Sequence, residues 1–220
     1  MEKEKVAAVI QTLAGVFSDV PALKFKTPYQ LLVAVILSAQ CTDERVNKVT
    51  EQLFKEYDTP EKMLTLSHEE LEKRIYSCGF YRMKAKHILE ASRDIMEKFG
   101  GRVPGNLADL QTLAGVGRKT ANVVYSVAFK GNAIAVDTHV FRVSNRIGLA
   151  FAKDVLNTER QLMENIEEKD WSRSHHYLIY LGRSYCKAQK PDCAECPINK
   201  LCEKHIAARP GKTAGKGGQR

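Results

Sequence analysis

The chain has little of what marks membrane, secreted or β-rich proteins. It holds one tryptophan and seven prolines in 220 residues. No apolar run approaches the ~20 residues that span a bilayer; the longest, around Leu31 to Leu37, is too short. No stretch alternates apolar and polar residues with the period of a half-buried strand. The first residues, MEKEKVAAVIQ, mix acids with bases and match neither a secretory signal nor a transit peptide. A cytoplasmic protein without a disulfide framework is expected. What is present is a 44% hydrophobic content, enough for a core, and 34 Lys and Arg against 26 Asp and Glu, a formal charge of +8. Such an excess points to an anionic partner such as nucleic acid. Arg209, Lys212, Lys216 and Arg220 lie in the acid-free AARPGKTAGKGGQR, so 207–220 is expected to be a disordered basic tail.

Periodicity predicts helices almost throughout. Val6, Ile10 and Leu13 start an amphipathic helix, and Tyr29 to Ala39 is apolar on nearly every side and so predicts a buried one. Thr42 can cap a helix over Asp43 to Tyr57, Thr59 precedes Pro60 at a first helical position, and Ser67 with Glu70 forms a capping box. Asn106 can cap Leu107 to Leu113; further helices are expected over Arg118 to Phe129, Thr138 to Ile147, Glu159 to Glu167 and Ser174 to Tyr185. An all-α fold of about ten helices follows.

Four of the six cysteines, Cys186, Cys193, Cys196 and Cys202, fall in a C-x6-C-x2-C-x5-C pattern. Four thiolates in one short segment suit Zn²⁺ or a [4Fe-4S] cluster, and spacing alone leaves both open. Lys187, Lys190, Arg183 and Lys200 surround them, as charge compensation or as a positive loop for phosphates. Cys41 and Cys78 are expected to be ordinary buried thiols.

The segment LAGVGRKT, Leu113 to Thr120, is not a nucleotide loop: Arg118 stands where a P-loop needs glycine, and Thr120 where a dinucleotide fingerprint needs its third. What remains is helix, Gly-x-Gly turn, helix. The two glycines allow a tight reversal and close backbone approach, and the new helix adds its positive end, so Gly115, Gly117, Arg118 and Thr120 are expected to grip DNA phosphates. A plain αα-turn is the simpler alternative.

Taken together, LAGVGRKTANVV, AIAVDTHVFRVSNR, the cysteine cluster, LLVAVILSAQCTDERVN and GFYRMKA resemble the endonuclease III family, helix-hairpin-helix DNA glycosylase/AP lyases with a [4Fe-4S] cluster. The likeness runs from about Pro28 to Cys202. The family pattern usually has proline at Ala114 and an aliphatic residue at Phe80. The resemblance implies two helical domains: a six-helix domain with the hairpin over 22–131, and a cluster domain from 1–21 with 132–206. It places the active site in the cleft between them.

Breaking a glycosidic bond makes C1′ of the sugar cation-like and calls for a nucleophile and a carboxylate. By resemblance Lys119 attacks C1′ and forms a Schiff base, after which loss of the C2′ proton cleaves the strand; Asp137 is the carboxylate, and it also stands where an N-cap belongs. Gln40 fills the gap left by a flipped base, Phe80 takes the wedge position, and Asp43 and His139 resemble pocket residues. Phe80 as core packing and Asp43 as a helix-dipole partner are the plainer readings, and His175 and His176 are expected to pack. The resemblance thus implies a repair enzyme of nucleoid DNA, acting as a monomer on duplexes with oxidised pyrimidines or abasic sites, and not on membranes. The alternatives are an adenine-excising glycosylase of the same superfamily, which lacks lysine at the position of Lys119, and a noncatalytic DNA-binding or redox module.

Overall fold

The computed structural model describes residues 1–204, so the expected basic tail lies outside the described residues. Among the described residues there are eleven α-helices, two short 3₁₀ turns and no strand. The chain divides into two compact units. One is Val20–Ala135; the other joins Met1–Asp19 to Val136–Arg220.

The Val20–Ala135 unit contains α2 (Pro28–Ser38), α3 (Asp43–Leu53), α4 (Pro60–Met63), α5 (His68–Ile75), α6 (Tyr81–Phe99), α7 (Leu107–Leu110) and α8 (Arg118–Ala128). α2 is its axis. Every residue from Tyr29 to Leu37 is buried, and α3, α6 and α8 pack around it. Burying side chains such as Leu32 and Leu37 contributes about 1.5–3 kcal/mol each, so truncating Leu37 to Ala is a ~2–5 kcal/mol loss.

Starts follow short polar side chains that satisfy the orphan N–H groups of a first turn. Thr42 Oγ1 accepts from Arg45 N, Thr59 Oγ1 from Lys62 N, and Asn106 Oδ1 from Asp109 N. The capping box is complete, with Glu70 N donating to Ser67 Oγ at 3.2 Å and Ser67 N to Glu70 Oε2 at 2.7 Å. Ends are less regular. α3 stops at Leu53 rather than Tyr57, because Lys55 and Glu56 donate to carbonyls three residues back in tightening turns.

The second unit holds α1 (Lys3–Ala14), α9 (Thr138–Ile147), α10 (Val155–Asn165) and α11 (Trp171–Ser184), with α9 packed on α10 and α11, and α1 on α11. α10 begins four residues before the expected Glu159, capped by Asp154 Oδ1, which accepts from Asn157 N at 2.8 Å. α11 begins at Trp171 rather than Ser174, and α7 is a single turn rather than a helix to Leu113. His175 and His176 are buried with their rings edge to face at 5.0 Å, as packing residues.

Candidate functional site

The glycine hairpin joins α7 to α8. Leu113 and Val116 are buried, while Gly115, Gly117, Arg118 and Lys119 are exposed and Thr120 is half-buried. The two glycines have different tasks. Gly115 has φ +72°, and a Cβ there would fall 2.6 Å from the His87 side chain, so only glycine fits the turn. Gly117 is the extended N-cap of α8, with open space where a Cβ would be and no side-chain cap bond. A helix start without a side-chain cap suits an approaching anion, and the Lys119 amine stands in the same first turn. At the hairpin's entrance Ala114 N donates to Asp94 Oδ2 at 3.4 Å, a bond that proline could not make.

Gln40 and Phe80 follow the same pattern. Both are exposed, and both take positive φ, +52° and +45°. Phe80 is 67% exposed, which overturns its reading as core packing. A buried lysine that sequence reasoning missed ties the two segments together: Lys84 Nζ donates to Leu37 O and to Cys78 O, each at 2.8 Å. Its ammonium satisfies carbonyls at the end of α2 and in the Tyr76–Cys78 3₁₀ turn, while burial holds its pKa below the ordinary value. Asp43 is half-buried in the first turn of α3.

Asp137 is half-buried and does cap α9, with Oδ1 accepting from Val140 N at 2.7 Å. His139, on the first turn, has its pKa lowered by burial; Asp137 opposes this, and Arg142 and Arg183 add to it. Two arginines unnoticed in the sequence then bind α9 to the cysteine loop. Arg142 Nη2 lies 3.2 Å from His139 Nδ1 and donates to Gly182 O at 3.0 Å. Arg146 donates to Lys187 O at 2.5 Å and Ala188 O at 2.8 Å. The signal was the four-residue spacing of the pair, which puts both guanidinium groups on one helix face.

Cys186, Cys193, Cys196 and Cys202 line one pocket with Ile147, Tyr185, Asp192 and Asn199, around a cavity of ≈ 30 Å³. No three His, Cys, Asp or Glu side chains among the described residues are grouped to hold a single ion. Four thiols that share one pocket, with no three of them closing on a single ion, fit a multi-atom cluster better than zinc. Burial pushes the Cys196 thiol up to about 11, so a thiolate there calls for a cationic centre. Arg183, Lys187, Lys190 and Lys200 are exposed around the loop.

Residues 33–168 match the family described as HhH-GPD superfamily base excision DNA repair protein, and residues 186–202 match the iron-sulfur binding domain of endonuclease III. The chain is 55% identical to endonuclease III of Bacillus subtilis over 82% of its own length and 83% of the relative's. For endonuclease III of Escherichia coli the identity is 45%, over 82% and 86%.

The chain belongs to the endonuclease III family.

Solved structures agree. A trapped endonuclease III–DNA covalent intermediate, an estranged-adenine complex, is 45% identical with a TM-score of 0.88, covering 94% of this chain and 98% of that one. A thermostable thymine-DNA glycosylase is 25% identical with a TM-score of 0.84, covering 93% and 98%. This family member is a base-excision DNA glycosylase and AP lyase that binds DNA and carries a [4Fe-4S] cluster. No helix among the described residues is long and apolar enough to cross a membrane.

Proposed function

We propose that this enzyme removes oxidised pyrimidines from double-stranded DNA and cleaves the abasic strand through an imine on Lys119. The observation that carries the reading is the exposed Lys119 amine in the first turn of α8, directly behind a hairpin whose N–H donors have no side-chain cap. The relative captured as a covalent intermediate with DNA supports the same chemistry.

The Lys119 amine attacks C1′. The bond from C1′ to the base breaks, the base leaves with a proton, and the sugar ring opens to a C1′ imine. Loss of the C2′ proton then expels the 3′ phosphate, and water releases the unsaturated aldehyde and restores the amine. Asp137 supplies the negative charge that a cation-like C1′ wants, its Val140 bond holding the side chain in one orientation. By family likeness His139 and Asp43 each take part in recognising the lesion. Gly115, Gly117, Arg118 and Thr120 hold phosphate, Gln40 fills the vacated stack and Phe80 wedges the duplex. Cys186, Cys193, Cys196 and Cys202 hold the cluster, which when bound fixes the basic loop as a phosphate-facing surface. The enzyme works as a monomer on nucleoid DNA in the cytoplasm, with its domains over 22–131 and over 1–21 with 132–206.

Borohydride trapping on a lesion duplex tests the nucleophile. The expected adduct maps to the peptide containing Lys119. Lys119→Gln abolishes adduct and nicking while keeping DNA affinity, and Asp137→Asn keeps the cap but slows base removal by roughly 10². Trapping at another lysine, or robust nicking by Lys119→Gln, overturns the assignment.

A further inference from the structure

Gln40 and Asp43 stand where α2 ends and α3 begins. At the opposite end of the same two helices a cavity of ≈ 600 Å³ lies between the loop before α2, the first turn of α2 and the second half of α3. About 12 Å of helix separates Gln30, on its wall, from Ser38 at the end of α2. None of the residues given a catalytic or DNA-gripping role lines it. Its size is that of a small-molecule site. Lys24, Lys26 and Lys55 line it with exposed ammonium groups, against the single carboxylate of Glu51. Phe25 and Phe54 line it as well, each half-buried and packed against the core of the unit.

The wall is built rather than incidental. Asn47 of α3 holds the loop by two bonds, Lys24 N donating to its Oδ1 at 2.8 Å and its Nδ2 donating to Ala22 O at 2.9 Å. From α2, Gln30 holds it by a third, with Lys26 N donating to Oε1 at 2.7 Å. The backbone that carries Lys24, Phe25 and Lys26 is thus set before any ligand arrives. Gln30 itself is 5% exposed. A backbone N–H can only donate, so that bond fixes which end of the amide faces the loop. Gln30 Nε2 has no hydrogen-bond partner among the described residues, and Gln30 lines the cavity. A buried donor of this kind wants an acceptor.

We propose that this cavity binds a nucleoside monophosphate, with its phosphate among Lys24, Lys26 and Lys55 and its base against Phe25 and Phe54. Three ammonium groups against one carboxylate suit a compact anion of about two charges, and lysine holds phosphate as a point charge. The two rings offer faces on which a planar base stacks. The NH2 of Gln30 then donates to a carbonyl oxygen of the base, an acceptor that thymine provides. The same chemistry is present in a free nucleotide and in the 5′-phosphorylated end of a DNA strand.

Calorimetric titration of the full holoprotein with thymidine 5′-monophosphate tests this. Saturable binding is expected, with thymidine and inorganic phosphate each weaker by about tenfold or more, since each keeps only part of the contacts. The triple variant Lys24→Gln, Lys26→Gln, Lys55→Gln should weaken the nucleotide by about tenfold or more, yet excise lesions at the wild-type rate. Gln30→Glu keeps an acceptor for Lys26 N and removes the NH2, so it too should bind weakly; if its melting curve shows that it does not fold, the lysine variant decides alone. Lys119→Gln should bind the nucleotide as wild type does. A parallel titration with 5′-phosphorylated tetrathymidylate separates the two sources: affinity no better than the mononucleotide's marks the free nucleotide, and tighter binding that the lysine variant loses marks a strand end. No nucleotide binding, inorganic phosphate bound as tightly as the nucleotide, or a site lost in Lys119→Gln but kept in the lysine variant overturns the proposal. So does a lysine variant that keeps nucleotide affinity and loses duplex affinity, which would give the three lysines to the duplex surface.

Discussion

Arg142 is joined to Cys186 twice: its Nε and Nη2 both lie 3.2 Å from the Cys186 carbonyl oxygen. The helix that begins with Asp137 as its cap is thereby also the bracket for the first cysteine of the cluster loop. Removing the guanidinium leaves that carbonyl, and that of Gly182, without a charged donor. Such losses cost ~1–3 kcal/mol each. Arg142→Met is expected to lower the melting temperature and to speed loss of visible absorption on dilution into chelator. Lys187→Met, at an exposed position on the same loop, should do neither.

The two hairpin glycines should separate folding from binding. Gly115→Ala places a Cβ against His87 at a positive φ, so it should destabilise the protein by ~1–3 kcal/mol in denaturant unfolding. Gly117→Val has open space for its side chain, so its stability should stay near wild type. Its affinity for every duplex should fall alike, since the added bulk stands where phosphate approaches. A Gly117→Val variant with altered lesion preference and unchanged affinity would count against the hairpin as an anchor.

Phe80 should matter most when the target base is still paired. Unstacking a paired base costs a few kcal/mol, and much less where the base is already gone. Phe80→Ala should therefore slow base removal more than nicking of a preformed abasic site. Equal losses in single-turnover assays on the two substrates would remove the wedge.

Acid should expose the setting of His139. Its folded pKa lies below the ordinary 6.5 because burial, and next the cations Arg142 and Arg183, disfavour the imidazolium over the opposing pull of Asp137. The unfolded chain therefore binds the proton first. The contribution to stability is fully present above about pH 6.5, is lost as pH falls through the lowered folded value, and is flat below it. Subtracting the pH profile of His139→Asn from that of wild type should leave that one-sided slope.

Much of this was legible in the chain. Caps at Thr42, Thr59, Ser67, Asn106 and Asp137 could be read because a cap is a local bond between residues three apart. The burial of α2 was equally plain from its unbroken apolar run. The start of α10 was hidden because Val155 and Leu156, which open the helix, are 46% and 40% exposed and so blur its apolar stripe. Lys84 was illegible for another reason. Its two carbonyl partners lie at positions 37 and 78, and no periodicity marks a lysine whose ammonium closes two distant turns. The arginine bracket on Cys186 is non-local in the same way. The residues named for chemistry came from motif likeness, whereas the groups that hold them came only from the fold.

The buried axis α2 has one more consequence. Gln40 stands just beyond the end of a helix enclosed on all sides, with Lys84 fastening its last turn. The conformational entropy of that segment is surrendered when the protein folds, long before any DNA arrives. The backbone beneath Gln40 therefore meets the duplex already ordered, and little of the binding free energy is consumed in arranging it.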